Sequence, residues 1–139
     1  MKKIIFDNGE GGVSIATPSS RALNLKTIDE IALAASGGAE YEIVDDSAVP
    51  TDRTFRDAWN LETPKKIGVD MGKAKEIAHV KRRVDRAELM APLDIEATIP
   101  DKTVAAEAAR VAIRASDSVT QSRIDNAANE TVLLAIMSE

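Results

Sequence analysis

Three glycines, Gly9, Gly11 and Gly12, surround Glu10 directly after Asp7-Asn8. A segment so poor in side chains can let backbone N–H groups close around a phosphate. That chemistry also needs a lysine followed by Ser or Thr and then a helix, whereas Val13-Ser14-Ile15-Ala16 comes next. Turn geometry between two strands therefore accounts for the glycines. Asp7, Asn8 and Glu10 are oxygen donors of the kind calcium takes, but the twelve-residue spacing with its terminal Glu is missing. His79 is the only histidine, and alone it completes neither a catalytic triad nor a multi-histidine metal site, so a surface position is expected. Asp45, Asp46 and Asp52 are acids in sequence proximity. Neighbouring acids in a strand point to opposite faces, and capping and turn duties explain them without acid/base work. These readings assign no catalytic residue, no cofactor and no metal ligand, and the expectation is a protein that is not an enzyme.

Two constellations suit recognition better than catalysis. Arg53, Phe55, Arg56 and Trp59 crowd into seven positions. Tryptophan and arginine are enriched at interface hot spots, and a tryptophan in a connecting segment is costly to leave in water. The competing reading is that Phe55 and Trp59 anchor the segment to its own sheet while the arginines face a partner. Lys81-Arg82-Arg83 with Arg86 is the densest basic run. Helical spacing makes Arg82 and Arg86 neighbours and turns Arg83 to another face. With Asp85 and Glu88 interspersed and no aromatic residue to stack bases, a solvated helix face explains the run better than nucleic acid. Glu76 and Arg83, and Glu107, Arg110 and Arg114, read as surface charges forming local pairs. The candidate partner-binding residues are thus Arg53, Phe55, Arg56, Trp59, Arg82 and Arg86.

The elements that must carry these residues follow from composition and periodicity. The chain has 139 residues, a net charge of −5 and only four aromatic side chains, Phe6, Tyr41, Phe55 and Trp59. One domain or two small halves are expected, with cores built from aliphatic and alanine side chains. Residues 1–69 carry 8 basic against 11 acidic groups and residues 70–139 carry 10 against 12. Both halves are acidic, which disfavours general binding to a phosphate backbone. No cysteine is present, so disulfides and thiolate chemistry are excluded. The apolar run Ile4-Ile5-Phe6 ends at Asp7, too short for a signal peptide or a membrane span.

Lys3 to Phe6 and Val13 to Ala16 read as a hairpin around the glycine loop. Pro18-Ser19-Ser20 breaks it. Thr27 with Glu30 forms a capping box that opens a short helix ended by Gly37-Gly38. Tyr41 to Val44 is rich in strand formers and is expected to join the hairpin as a third strand. Asp45 to Pro64 reads as a structured connection, with Lys66 to Val69 as a last strand. Asp70 suits the N-cap of a long helix in which Ala74, Ile77, Val80, Val84, Ala87 and Ala91 form one stripe. Pro92 is expected to stop or kink that helix. Thr103 to Ala115 should form a second helix, packing through Val104, Ala108, Val111 and Ala115 against the first as an antiparallel hairpin. A polar break at Ser116-Asp117-Ser118 and a last pair of short helical pieces complete the reading. The predicted fold class is α+β, with a ββαβ-like head over residues 1–69 and a helical region over residues 70–139.

Ile43 to Ser47, Val49 to Trp59 and Val69 to Ile77 together resemble small proteins encoded among the tail genes of tailed bacteriophages and prophages, related in pattern to tail-fibre assembly proteins. The likeness spans roughly residues 40–139. It includes the extended segment ending in an aromatic anchor at Phe55 to Trp59, the helix opening at Asp70 to Ile77, and a short Leu93-Asp94-Ile95 element. The chain departs from the pattern through Pro92 and Pro100. The resemblance carries no catalytic residues. It implies a structural or accessory tail protein acting by protein–protein association, or a transient tail-fibre assembly chaperone; a small hydrolase or nucleotide-binding enzyme is the alternative from another class. The implied partner is a phage tail or tail-fibre protein, not nucleic acid or membrane, in the host cytoplasm during assembly or in the virion tail. An exposed stripe on the C-terminal helices would serve a homo-oligomer equally well.

Overall fold

The computed structural model describes residues 1–63 and 66–139, so Pro64, the expected end of the connection, lies outside the described residues. The chain is α+β, with a small antiparallel sheet followed by long helices. It divides into two compact units, Met1–Asp70 and Met71–Glu139.

In the first unit β1 (Lys2–Asp7) and β2 (Val13–Ala16) form the hairpin, and β3 (Tyr41–Asp45) adds to the other edge of β1, giving the antiparallel order β2-β1-β3. The register pairs Ile5 with Ile15 and with Glu42. Successive strand residues face opposite ways, and both Ile4 and Ile5 are fully buried, so the central strand is covered on both faces. Ile5 packs with Val13 and Trp59, while the helix Ile28–Ser36 lies along β1 and β3 with Ala32 buried.

Two short helices separate β2 from β3. In α1 (Ser20–Leu25), the Ser19 hydroxyl accepts a bond from the Ala22 N–H, so the segment expected to be a simple break starts a helix. In α2 (Ile28–Ser36), Thr27 accepts from the Glu30 N–H at 3.3 Å, and Gly37 closes the helix at φ 62. That left-handed angle is one glycine adopts without a side-chain clash. A 3-10 turn at Arg56–Ala58 then leads into β4 (Trp59–Thr63), which pairs antiparallel with β5 (Lys66–Val69) as a separate two-stranded sheet. The expected connection therefore contains a strand of its own.

The second unit contains α3 (Met71–Glu96), α4 (Thr103–Asp125) and α5 (Glu130–Met137). α3 and α4 form the expected hairpin, and α5 packs on both. Four expectations are corrected here. α3 is not stopped at Pro92 but continues to Glu96. Pro92 and Glu88 are both exposed, so the carbonyl deprived of its helical donor can be met by water. α4 runs unbroken through Ser116-Asp117-Ser118, with Thr120 bonding back to the Ser116 carbonyl. One helix, not a pair of pieces, follows it. The predicted stripes also face outward: Val80 and Val84 are about half exposed, and Val104 and Val111 are 85% and 59% exposed. The seam is made by Ala74, the one buried member of those stripes, together with Ala78 and Ala106 and polar residues between them, while Ile124, Ala127, Leu133 and Ile136 form the apolar end beneath α5.

Candidate interaction surface

The Arg53–Trp59 segment is held by its own backbone and by Asp52. Thr54 donates to the Asp52 carboxylate through both its N–H (2.9 Å) and its hydroxyl (2.6 Å). These bonds hold the Asp52 carboxyl below the usual carboxylate range, the hydroxyl contributing most. The Arg56 N–H donates to the Arg53 carbonyl and the Ala58 N–H to that of Phe55, closing the 3-10 turn. The turn places Phe55 and Trp59 inside, at 4% and 2% exposure. Arg56 donates to the Val13 carbonyl at 2.8 Å, and its guanidinium carbon stands 4.8 Å from the centre of the Trp59 ring. This is a cation–π contact that also fastens the segment to β2.

Of the four candidate residues here, the structure brings Phe55, Arg56 and Trp59 together as an internal anchor. Partner contact by Phe55 and Trp59 is corrected on this ground, because their surface is already spent on the core. Arg53 is exposed on a shallow groove beside Lys3, Asp46, Val49 and Pro50. The acids of this groove are already matched with lysines: Lys2 pairs with Asp45 at 2.7 Å and Lys3 with Asp46 at 3.3 Å. The hydrogen bond from Lys2 draws the Asp45 carboxyl below its ordinary range. Among Asp7, Asp45, Asp52 and Asp70, whose convergence an acid/base site would need, only Asp45 lines this groove. In the glycine loop, the N–H groups of Gly9, Glu10 and Gly12 donate to the side chains of Asp7 and Asn8. A phosphate there would have to displace those bonds.

Arg82 and Arg86 converge, as their spacing requires, but on a carboxylate of α4. Arg82 lies 2.6 Å and Arg86 2.9 Å from Asp117 Oδ2. The Arg82 side chain is 8% exposed and that of Asp117 10%, so Arg82 is an internal ion-pair member and not a solvated rim charge. His79 is corrected too: it is buried, with Nε2 2.8 Å from Asp125 Oδ1. Arg82 Nε donates to His79 Nδ1 at 3.2 Å, which assigns the ring proton to Nε2 and directs it at Asp125. Lys75 adds a bond to the Asp125 carbonyl. Further along the hairpin Arg110 meets Glu107 on its own helix, and its Nε stands 3.0 Å from Asp94, a charge contact short of hydrogen-bond geometry. Glu76 pairs with Arg83 at 2.9 Å, which holds the Glu76 carboxyl down. Among the described residues no group of three or more His, Cys, Asp or Glu is placed to hold a metal ion.

With His79, Arg82 and Asp117 turned inward, the outward faces of the helical pair carry aliphatic side chains among exposed charges. On α3 these are Val80, Val84 and Ile95, and on α4 Val104, Val111 and Val119, each at least half exposed. Scattered exposed aliphatics are ordinary on a protein surface, but rows at helical spacing are the pattern of a packing face. Among the described residues, no helix is long and apolar enough to cross a membrane. No protein-family model matches the chain, and no curated protein or solved structure matches it significantly.

Proposed function

We propose that the protein acts by association with another protein, without catalysis, as a structural or accessory component of a phage tail. The observation that carries the association is the row of exposed valines on the outside of the helical pair. Such side chains gain roughly 25 cal/mol for each Å² of apolar surface removed from water, and a docking face uses that gain. The tail setting rests on the likeness of residues 40–139 to phage tail-module proteins. Arg53 supplies polar specificity at the edge of its groove, and the buried Phe55 and Trp59 hold that edge in place.

The test pairs mass spectrometry of purified virions with capture from infected cells on the tagged protein. A fixed copy number per particle is expected for a tail component. Capture of a fibre protein with no copies retained in particles would favour the assembly chaperone. Val80→Lys with Val84→Lys should reduce capture at least tenfold at unchanged helical circular dichroism. Undiminished capture would remove the helical face from the proposal.

A further inference from the structure

We propose that the outer face of α4 is a self-association surface on which a second copy of this chain packs antiparallel about a twofold axis. The inference does not depend on the phage setting. Val104, Ala108, Val111 and Ala115 follow one another at steps of four, three and four residues, the spacing of a two-helix seam. All four are exposed, Val104 at 85% and Val111 at 59%, and they lie opposite the seam that α4 makes with α3.

The charges choose the occupant and its direction. Glu107, one of whose carboxylate oxygens also accepts from Arg110 on its own helix, and Arg114 are exposed and lie seven residues apart along one flank of this row. In an antiparallel pair of identical helices the same flank of each copy meets, whereas in a parallel pair opposite flanks meet. An antiparallel copy therefore brings Glu107 to the partner's Arg114, and Arg114 to the partner's Glu107. A parallel copy would set Glu107 against alanine. The register that joins these charges also sets Val104 against the partner's Ala115 and Ala108 against the partner's Val111, so that large meets small in each layer. A slip of one heptad would oppose Arg114 to itself. On the other flank Ala105 and Ala112 are small and exposed, which permits close approach. The overlap, residues 103–116, is about 20 Å long, a short contact, so the dimer should dissociate on dilution.

Sedimentation equilibrium of the full chain tests this. The expected mass at high concentration is twice the 14.9 kDa of one chain. Val111→Glu should give a monomer with unchanged helical dichroism. Arg114→Glu, a surface change that keeps the fold testable should Val111→Glu not fold, should raise the dimer dissociation constant roughly tenfold by opposing like charges at two symmetric places. Adding Glu107→Arg to Arg114→Glu should restore the dimer. A wild-type monomer, a dimer indifferent to Arg114→Glu, or a double variant no tighter than the single one would each overturn the arrangement. A monomeric chain that still captures a foreign protein, and loses it with Val111→Glu, would give the face to that protein and leave the association reading standing.

Discussion

Asp117 is a single carboxylate shared by two arginines, and one of them, Arg82, is almost wholly out of water. Removing the acid leaves that guanidinium buried without its counter-charge, which in comparable pairs costs about 3–5 kcal/mol. Asp117→Ala is therefore expected to lower the stability of the helical unit by about that amount in denaturant titration. Replacing the exposed Glu76, whose partner Arg83 is also exposed, should leave the midpoint nearly unchanged. Equal losses for the two would show that Arg82 finds water when its partner is gone. Residue-scale legibility follows the same division. Glu76 with Arg83 and Glu107 with Arg110 could be read in advance, because both partners lie within two turns of one helix. Asp117 lies 35 residues from Arg82, and Asp125 lies 46 from His79, so nothing local announced either pair. His79 was consequently expected at the surface.

At the scale of elements, the terminators were most legible where a backbone requirement stood behind them. Thr27 and Gly37 mark the two ends of α2 because each satisfies a specific need of the helix end. Pro92 is a weaker signal, since it removes one donor at an exposed turn and the rest of α3 outweighs it. Pro92→Ala should restore that bond and stabilise the protein by about 1–3 kcal/mol, the remaining gain being offset by a more flexible unfolded chain. The check is thermal melting followed by helical dichroism, and a lowered melting temperature would show that α3 depends on the proline ring. The faces of α3 and α4 differ from the expectation because periodicity finds an apolar stripe and does not say what covers it. In α4 the row Ala106, Arg110, Ile113, Asp117, Thr120 and Ile124 has equally good helical spacing but mixed polarity. Arg110, Asp117 and Thr120 lower its apolar signal below that of the valine row. The strand β4 is weakly marked in the sequence for a related reason: Asn60 and Glu62 alternate with Trp59 and Leu61, and the element is only five residues long.

Over the whole molecule, acidic groups outnumber basic ones and several carboxylates are held below their ordinary range. They are Asp45 beside Lys2, Asp52 under Thr54, Glu76 beside Arg83 and Glu139 beside Arg123. A carboxyl whose folded value lies below its unfolded one stabilises the fold above the unfolded value and loses that contribution as pH falls through the folded value. Tyr41 is shifted the other way, by desolvation and then by Asp29, so its contribution is lost as pH rises above the ordinary phenol range. Melting temperature should thus be level around neutrality, fall below about pH 4, and fall again above about pH 10. A melting temperature that rises on acidification from neutrality would contradict the carboxylate assignment. The separation into two units has an optical consequence. Trp59, Tyr41 and both phenylalanines belong to Met1–Asp70, while the two longest helices, α3 and α4, and α5 with them, belong to Met71–Glu139. Near-ultraviolet absorption and tryptophan emission consequently report the first unit alone, and far-ultraviolet dichroism chiefly reports the second. A single unlabelled sample watched at both wavelengths reveals whether the halves melt together or in turn.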